Sequence, residues 1–112
     1  MKKNLDTPAQ KSYTTFSLGT LTADFNRHLF QVKGKSVRLS PKEKKILLAL
    51  IEARGVVVSR QQIIDSAWDG EQTLDSRTVD QHMARLRRKV GRGVVNTVPL
   101  FGYQISPELV AS

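Results

Sequence analysis

Cysteine is absent from this chain, which excludes a disulfide framework, a thiolate metal site and a thiol nucleophile. Acidic residues are outnumbered, ten against eighteen Lys and Arg, leaving a net charge of +8. Such an excess points to a polyanionic partner, nucleic acid first and an acidic membrane surface second. Long apolar runs are missing as well. The longest, Ile46 to Ile51, is far short of the roughly 20 residues that cross a bilayer, and Met1-Lys2-Lys3 leads into polar residues, not into the apolar core of a secretory signal. The expectation is a soluble, cytoplasmic chain that makes no membrane contact of its own. Only two histidines occur, His28 and His82, with no carboxylate cluster at ligand spacing. Neither a metal nor any other cofactor is therefore expected, and a small nuclease finds no place for its ion. What remains is 112 residues, 39% hydrophobic and 25% charged: enough for one hydrophobic core, too short for two, and unlike a disordered chain.

Residues 1–13 are polar and aperiodic and read as a flexible tail; a single domain is expected over 14–106, with a carboxyl-terminal tail at 107–112. Between Thr15 and Leu39, short apolar runs alternate with the turn signals Gly19-Thr20 and Gly34-Lys35, the pattern of three or four antiparallel strands. Ser40-Pro41-Lys42-Glu43 then carries a complete helix start. Ser40 can accept from an early amide, Pro41 suits the first turn, and Glu43 can reach back to close a capping box. Ile46, Leu47, Leu50 and Ala53 supply that helix with a buried face, and Gly55 is expected to stop it. Val56-Val57-Val58 forms a short strand or extended link. Ser59-Arg60-Gln61-Gln62 repeats the capping logic for a second amphipathic helix ending near Gly70.

A third helix is expected from Asp75 or Ser76 to Val90, with Gly91 as its stop. Val79, Met83, Leu86 and Val90 follow 4-3-4 spacing and make one apolar stripe. At 100° per residue, Arg77, Gln81, Ala84, Arg85 and Arg88 fall on the opposite side. One half of this helix belongs to a core and the other is cationic. The chain closes with a hairpin, Val94 to Val98 and Tyr103 to Ile105, around the tight segment Pro99–Gly102.

Sheet, helix, link, helix, loop, helix and hairpin give an α+β winged helix-turn-helix. The stretches LSPKEKKILLALIEARGVVVSRQQIIDSAW, DSRTVDQHMARLRRKVG and NTVPLFGYQI resemble the OmpR/PhoB-type DNA-binding domain of bacterial response regulators, in order and spacing, over about residues 15 to 105. The resemblance implies a non-enzymatic transcription regulator that binds double-stranded DNA, commonly as a homodimer of domains on adjacent half-sites. By position in the motif, Thr78, Gln81, Ala84 and Arg85 look like base-edge readers. Trp68, Arg77, His82 and Arg87 look like backbone contacts, Thr97 is a further DNA-binding position, and Arg88 serves either role. The same resemblance suggests that the loop Asp69–Thr73 faces RNA polymerase.

Each position has a plainer rival. Arg87 suits a surface ion pair, Trp68 a half-buried packing role, and Asp80 a pairing with a neighbouring arginine; Lys42, Lys44 and Lys45 suit a solvated helix face. The wing departs from the family pattern. Where an arginine is usual, the chain has Thr97-Val98-Pro99-Leu100-Phe101-Gly102-Tyr103-Gln104, a form more similar to the ToxR/CadC branch. Its apolar tip makes a protein-interaction module using Leu100 and Phe101 the alternative function. No phosphate-accepting domain lies within these residues, so the chain is either a stand-alone regulator or part of a longer one.

Overall fold

The computed structural model describes residues 15–69 and 75–110. The tail expected at 1–13 and most of the loop Asp69–Thr73 lie outside them. Four short strands, β1 (Thr15–Leu18), β2 (Leu21–Asp24), β3 (Leu29–Val32) and β4 (Lys35–Val37), form an antiparallel sheet in sequence order. Tight turns set its register, Leu18 opposite Leu21 and Val32 opposite Lys35. The period of two then gives the sheet one apolar face: Leu18, Leu21, Ala23 and Phe30 are buried. Phe16, Phe25 and Phe30 extend that face as an edge-to-face chain, with ring centroids 5.9 and 5.1 Å apart.

Helix α1 (Pro41–Glu52) starts where its capping box predicts. The Ser40 hydroxyl accepts from the Glu43 amide at 3.2 Å and the Glu43 carboxylate accepts from the Ser40 amide at 2.8 Å. Ile46, Leu47, Leu50 and Ile51 are buried on its inner face, while Ala53 is only half-buried at the cap. The left-handed turn expected of Gly55 begins one residue earlier, with Arg54 at φ 51°. Helix α2 (Arg60–Ala67) repeats the box with Ser59 and Gln62 and stops short of Gly70, because the Trp68 amide closes on the Ile64 carbonyl at 2.8 Å as the final cap.

Helix α3 (Ser76–Val90) is capped by Asp75, whose carboxylate accepts from the Arg77 amide at 3.0 Å. Its apolar stripe is sealed: Val79, Met83, Leu86 and Val90 are all buried, each contributing about 1.5–3 kcal/mol of hydrophobic burial. The hairpin consists of β5 (Val95–Val98) and β6 (Gly102–Ile105). Val58 exchanges two backbone hydrogen bonds with Tyr103, at 2.7 and 2.9 Å, so the link between α1 and α2 is stitched to the hairpin.

The expected carboxyl-terminal tail is different in the structure. Pro107–Val110 form a helical turn, α4, with Leu109 against the Gly19 turn and Val110 against Gly55. Four residues are too few to display a helical period, so this turn is invisible to pattern reading; two apolar side chains hold it in place.

Candidate nucleic-acid interface

Because its stripe faces the core, α3 must turn its other side outward. Arg77, Gln81, Ala84, Arg85 and Arg88 are all exposed, as the wheel requires. Among the described residues, the side chains of Arg77, Arg85 and Arg88 make no hydrogen bond or ion pair with the rest of the chain. Thr78 is half-buried at the edge of this face. The result is a stiff rod with uncommitted guanidiniums, each able to meet a phosphate or the acceptor edge of guanine.

The flanking candidates are held more tightly. His82 donates through Nδ1 to the Thr78 carbonyl at 2.8 Å and packs edge-on against Trp68, centroids 5.0 Å apart. Trp68 is half-buried against the core. Its ring also meets the Lys42 ammonium at 5.3 Å, and that ammonium donates to the Ala67 carbonyl at 2.8 Å. Lys44 bonds the His28 ring at 3.2 Å and lies near the face of Phe30. Of the three α1 lysines expected to form a solvated face, then, only Lys45 is exposed; the other two bind across elements too distant in sequence to be anticipated.

Among the described residues, Arg87 does not form the surface ion pair weighed against its DNA role. It donates to the Thr97 hydroxyl on β5, and its guanidinium lies 5.3 Å from the centre of the Tyr103 ring. Its Nε is buried with no partner among the described residues. The carboxylate of Asp80 is occupied elsewhere, accepting from Arg60 Nε at 2.8 Å and from the Tyr103 hydroxyl. Partial burial raises the Asp80 carboxyl, but the Tyr103 hydroxyl and the Arg60 guanidinium more than offset it and hold it below the usual carboxylate range. Burial and the same carboxylate raise the Tyr103 phenol, which stays protonated and donating at neutral pH.

Asp80 therefore ties α3 to α2 through Arg60 and to the wing through Tyr103. The sequence pattern anticipated an arginine partner for Asp80 but not this one, twenty positions away, and missed Arg60 and Tyr103 as part of the site. No local signal marks either, since the first occupies an ordinary first-turn position and the second an ordinary strand position.

The fold and this face define a winged-helix DNA-binding domain. Residues 34–105 match the family model described as "Transcriptional regulatory protein, C terminal", and the chain belongs to that family, of the OmpR/PhoB type. It is 36% identical over 89 residues to the transcriptional regulatory protein CseB of Streptomyces coelicolor, covering 80% of this chain and 38% of that protein. It is 33% identical over 96 residues to the phosphate regulon transcriptional regulatory protein PhoB of Rhizobium meliloti, covering 82% and 42%. This chain thus matches about two-fifths of the length of these curated relatives. Among solved structures it is similar to the Klebsiella pneumoniae RstA DNA-binding domain in complex with the RstA box, with TM-score 0.73, 27% identity, and coverage of 83% of this chain and 97% of that one. The Thermotoga maritima response regulator DrrB, an OmpR/PhoB homologue, superposes with TM-score 0.75 and 28% identity, covering 83% and 44%. No helix among the described residues is long and apolar enough to cross a membrane.

Proposed function

We propose that this domain recognises double-stranded DNA by sequence, laying the exposed face of α3 in a major groove, with Thr78, Gln81, Ala84 and Arg85 at base edges. Arg77, His82, Trp68, Arg87 and Thr97 meet the phosphate backbone, and Arg88 extends the same face. The observation that carries this reading is the division of α3, whose stripe is sealed in the core while its free arginines point away from it. The domain acts without catalysis, in the cytoplasm, as pairs on adjacent half-sites.

The test compares two exposed arginines that have no structural partner among the described residues. Arg85→Ala is expected to weaken the preferred duplex about tenfold and relax preference at one base pair, whereas Arg77→Ala weakens all sequences alike. With about four to six phosphates engaged, log K should fall against log salt with a slope of about −4 to −5. A flat salt response, or unchanged affinity in both variants, would remove the basis of the proposal. Footprinting would report half-site number and spacing in the same experiment.

A second reading rests on the wing tip. Leu100 is 95% and Phe101 69% exposed, and Leu100 holds φ 72° in a turn closed by Phe101 N–H to the Val98 carbonyl at 3.0 Å, a position glycine usually takes. A strained, bare apolar tip suits a protein contact; separately, the family resemblance supports a contact of the loop Asp69–Thr73 with RNA polymerase. Two replacements are informative here, Leu100→Ser with Phe101→Ser and a substituted 69–73 loop. Each should spare DNA affinity while reducing transcription; loss of DNA binding in step with transcription rejects the corresponding protein contact.

A further inference from the structure

His82 is half-buried on the flank of α3, and two contacts fix its ring. Nδ1 lies 2.8 Å from the Thr78 carbonyl oxygen, and the ring stands edge-on to Trp68 with the planes at 88°. A carbonyl oxygen can only accept, so Nδ1 carries a hydrogen whether the ring is neutral or charged. The neutral ring has a single N–H. With that hydrogen committed to Thr78, neutral Nε2 presents a lone pair. Nε2 has no hydrogen-bond partner among the described residues and is not one of their buried unpartnered atoms, so an incoming group can reach it. A phosphodiester oxygen also has only lone pairs to offer. Neutral His82 therefore cannot bond the group a DNA backbone brings to it, whereas the imidazolium, with a second N–H at Nε2, can donate. The charged groups nearby do not take over this task. From α1, the Lys42 ammonium donates to the Ala67 carbonyl beside the Trp68 ring. From α2 comes the uncharged Trp68, followed by the exposed Asp69. On α3, Asp75 caps the helix, Asp80 is committed to Arg60 and Tyr103, and Arg77 and Arg85 are exposed. No carboxylate pairs with His82 among the described residues.

We propose that His82 engages the DNA backbone only as the imidazolium, so that duplex binding takes up a proton and the domain holds DNA more tightly as pH falls through the histidine range. The proposal rests on DNA binding by α3 and adds a regulation of that site by protons. The proton comes from solvent, adds to the Nε2 lone pair and is then donated to a phosphate oxygen; no other bond forms or breaks. Because the complex holds more protons than the free chain and duplex, affinity must fall as pH rises. Histidine titrates around pH 6.5, close enough to neutrality for modest acidification to act. The second histidine is the contrast. His28 Nδ1 lies 3.2 Å from the Lys44 ammonium, which can only donate, so this ring accepts in its neutral form. It lies in the turn between β2 and β3, outside the helix that carries the candidate interface.

The experiment measures affinity of the purified chain for its selected duplex, made without terminal phosphates, from pH 6 to pH 8 and across a salt series. His82→Gln and His28→Gln are measured alongside wild type. Wild-type affinity is expected to rise about fivefold from pH 8 to pH 6, and the salt slope to steepen by up to about 0.9 as one more phosphate is neutralised. His28→Gln should behave as wild type. In His82→Gln, whose amide donates without titrating, affinity and slope should not depend on pH over this range. A second readout needs no variant: Trp68 is the sole tryptophan and touches the ring, so its fluorescence reports the charge on His82. The midpoint of that fluorescence titration should move to higher pH when saturating duplex is present. Equal wild-type affinity at pH 6 and pH 8, with an unmoved midpoint, overturns the proposal and leaves DNA recognition by α3 intact. A pH dependence that persists in His82→Gln and disappears in His28→Gln assigns the proton to the sheet and overturns it equally. Absence of DNA binding by wild type at every pH removes the underlying reading, and the proposal with it.

Discussion

Gly102→Ala should lower stability by about 3 kcal/mol or more and the melting midpoint by at least about 10 °C. A Cβ at this position would lie 2.1 Å from the Val58 carbonyl oxygen and 2.9 Å from Ser59 Cα, both backbone atoms with no rotamer to change. The φ of 149° adds a conformation that residues with a side chain rarely adopt. Relief requires lifting β6 from the α1–α2 link, which breaks the paired Val58–Tyr103 hydrogen bonds. It also draws the Tyr103 hydroxyl from Asp80 and frees Arg87, so DNA affinity should fall with stability. Gly34→Ala is the control. Its φ of 81° carries a similar dihedral penalty, about 1–2 kcal/mol, but a Cβ there meets nothing within 4 Å. If the two variants melt within a few degrees of each other, close approach at Gly102 is not what fixes the wing.

That contrast also marks what a sequence can disclose. Ser40-Pro41-Lys42-Glu43 and Ser59-Arg60-Gln61-Gln62 are readable because capping is settled within four residues. The stripe from Val79 to Val90 is readable because helical period is fixed by backbone geometry, and it alone locates the outward arginines. Contacts between elements follow no such local rule. Asp80 joins Arg60 and Tyr103, respectively twenty and twenty-three positions away, and Lys42 reaches the Ala67 carbonyl. Arg87 illustrates the difference within a single residue: the wheel places it beside the apolar stripe, while only the folded wing, through Thr97, decides where its guanidinium goes. The turn Pro107–Val110 was lost for want of length, and the early left-handed Arg54 because arginine gives no signal for that conformation.

Glu43 belongs to both categories, and Glu43→Gln should separate them. Its side chain is only 3% exposed, and Oε1 accepts from the Ser40 amide at 2.8 Å and from Lys89 Nζ at 2.7 Å, joining the first turn of α1 to the last turn of α3. Burial raises this carboxyl, but Lys89 and the Ser40 donors outweigh that effect and leave it below the usual carboxylate range. Glutamine should preserve the cap, since Gln62 accepts from the Ser59 amide at 2.8 Å in the same position of α2. The variant therefore removes chiefly the charge facing Lys89. Losing one member of a buried pair costs about 3–5 kcal/mol, reduced here to about 2–3 kcal/mol because the partly exposed Lys89 regains water. A folded-state pKa depressed below the unfolded value of about 4.3 contributes stability that is complete above that value and lost as pH falls through the folded one. The gap between wild type and Glu43→Gln in urea denaturation should be full at pH 7, begin to close below about pH 4, and shrink further at pH 3. A gap of equal size at pH 7 and pH 3 would assign the loss to packing around the amide, and the ionic tie between α1 and α3 would have to be abandoned.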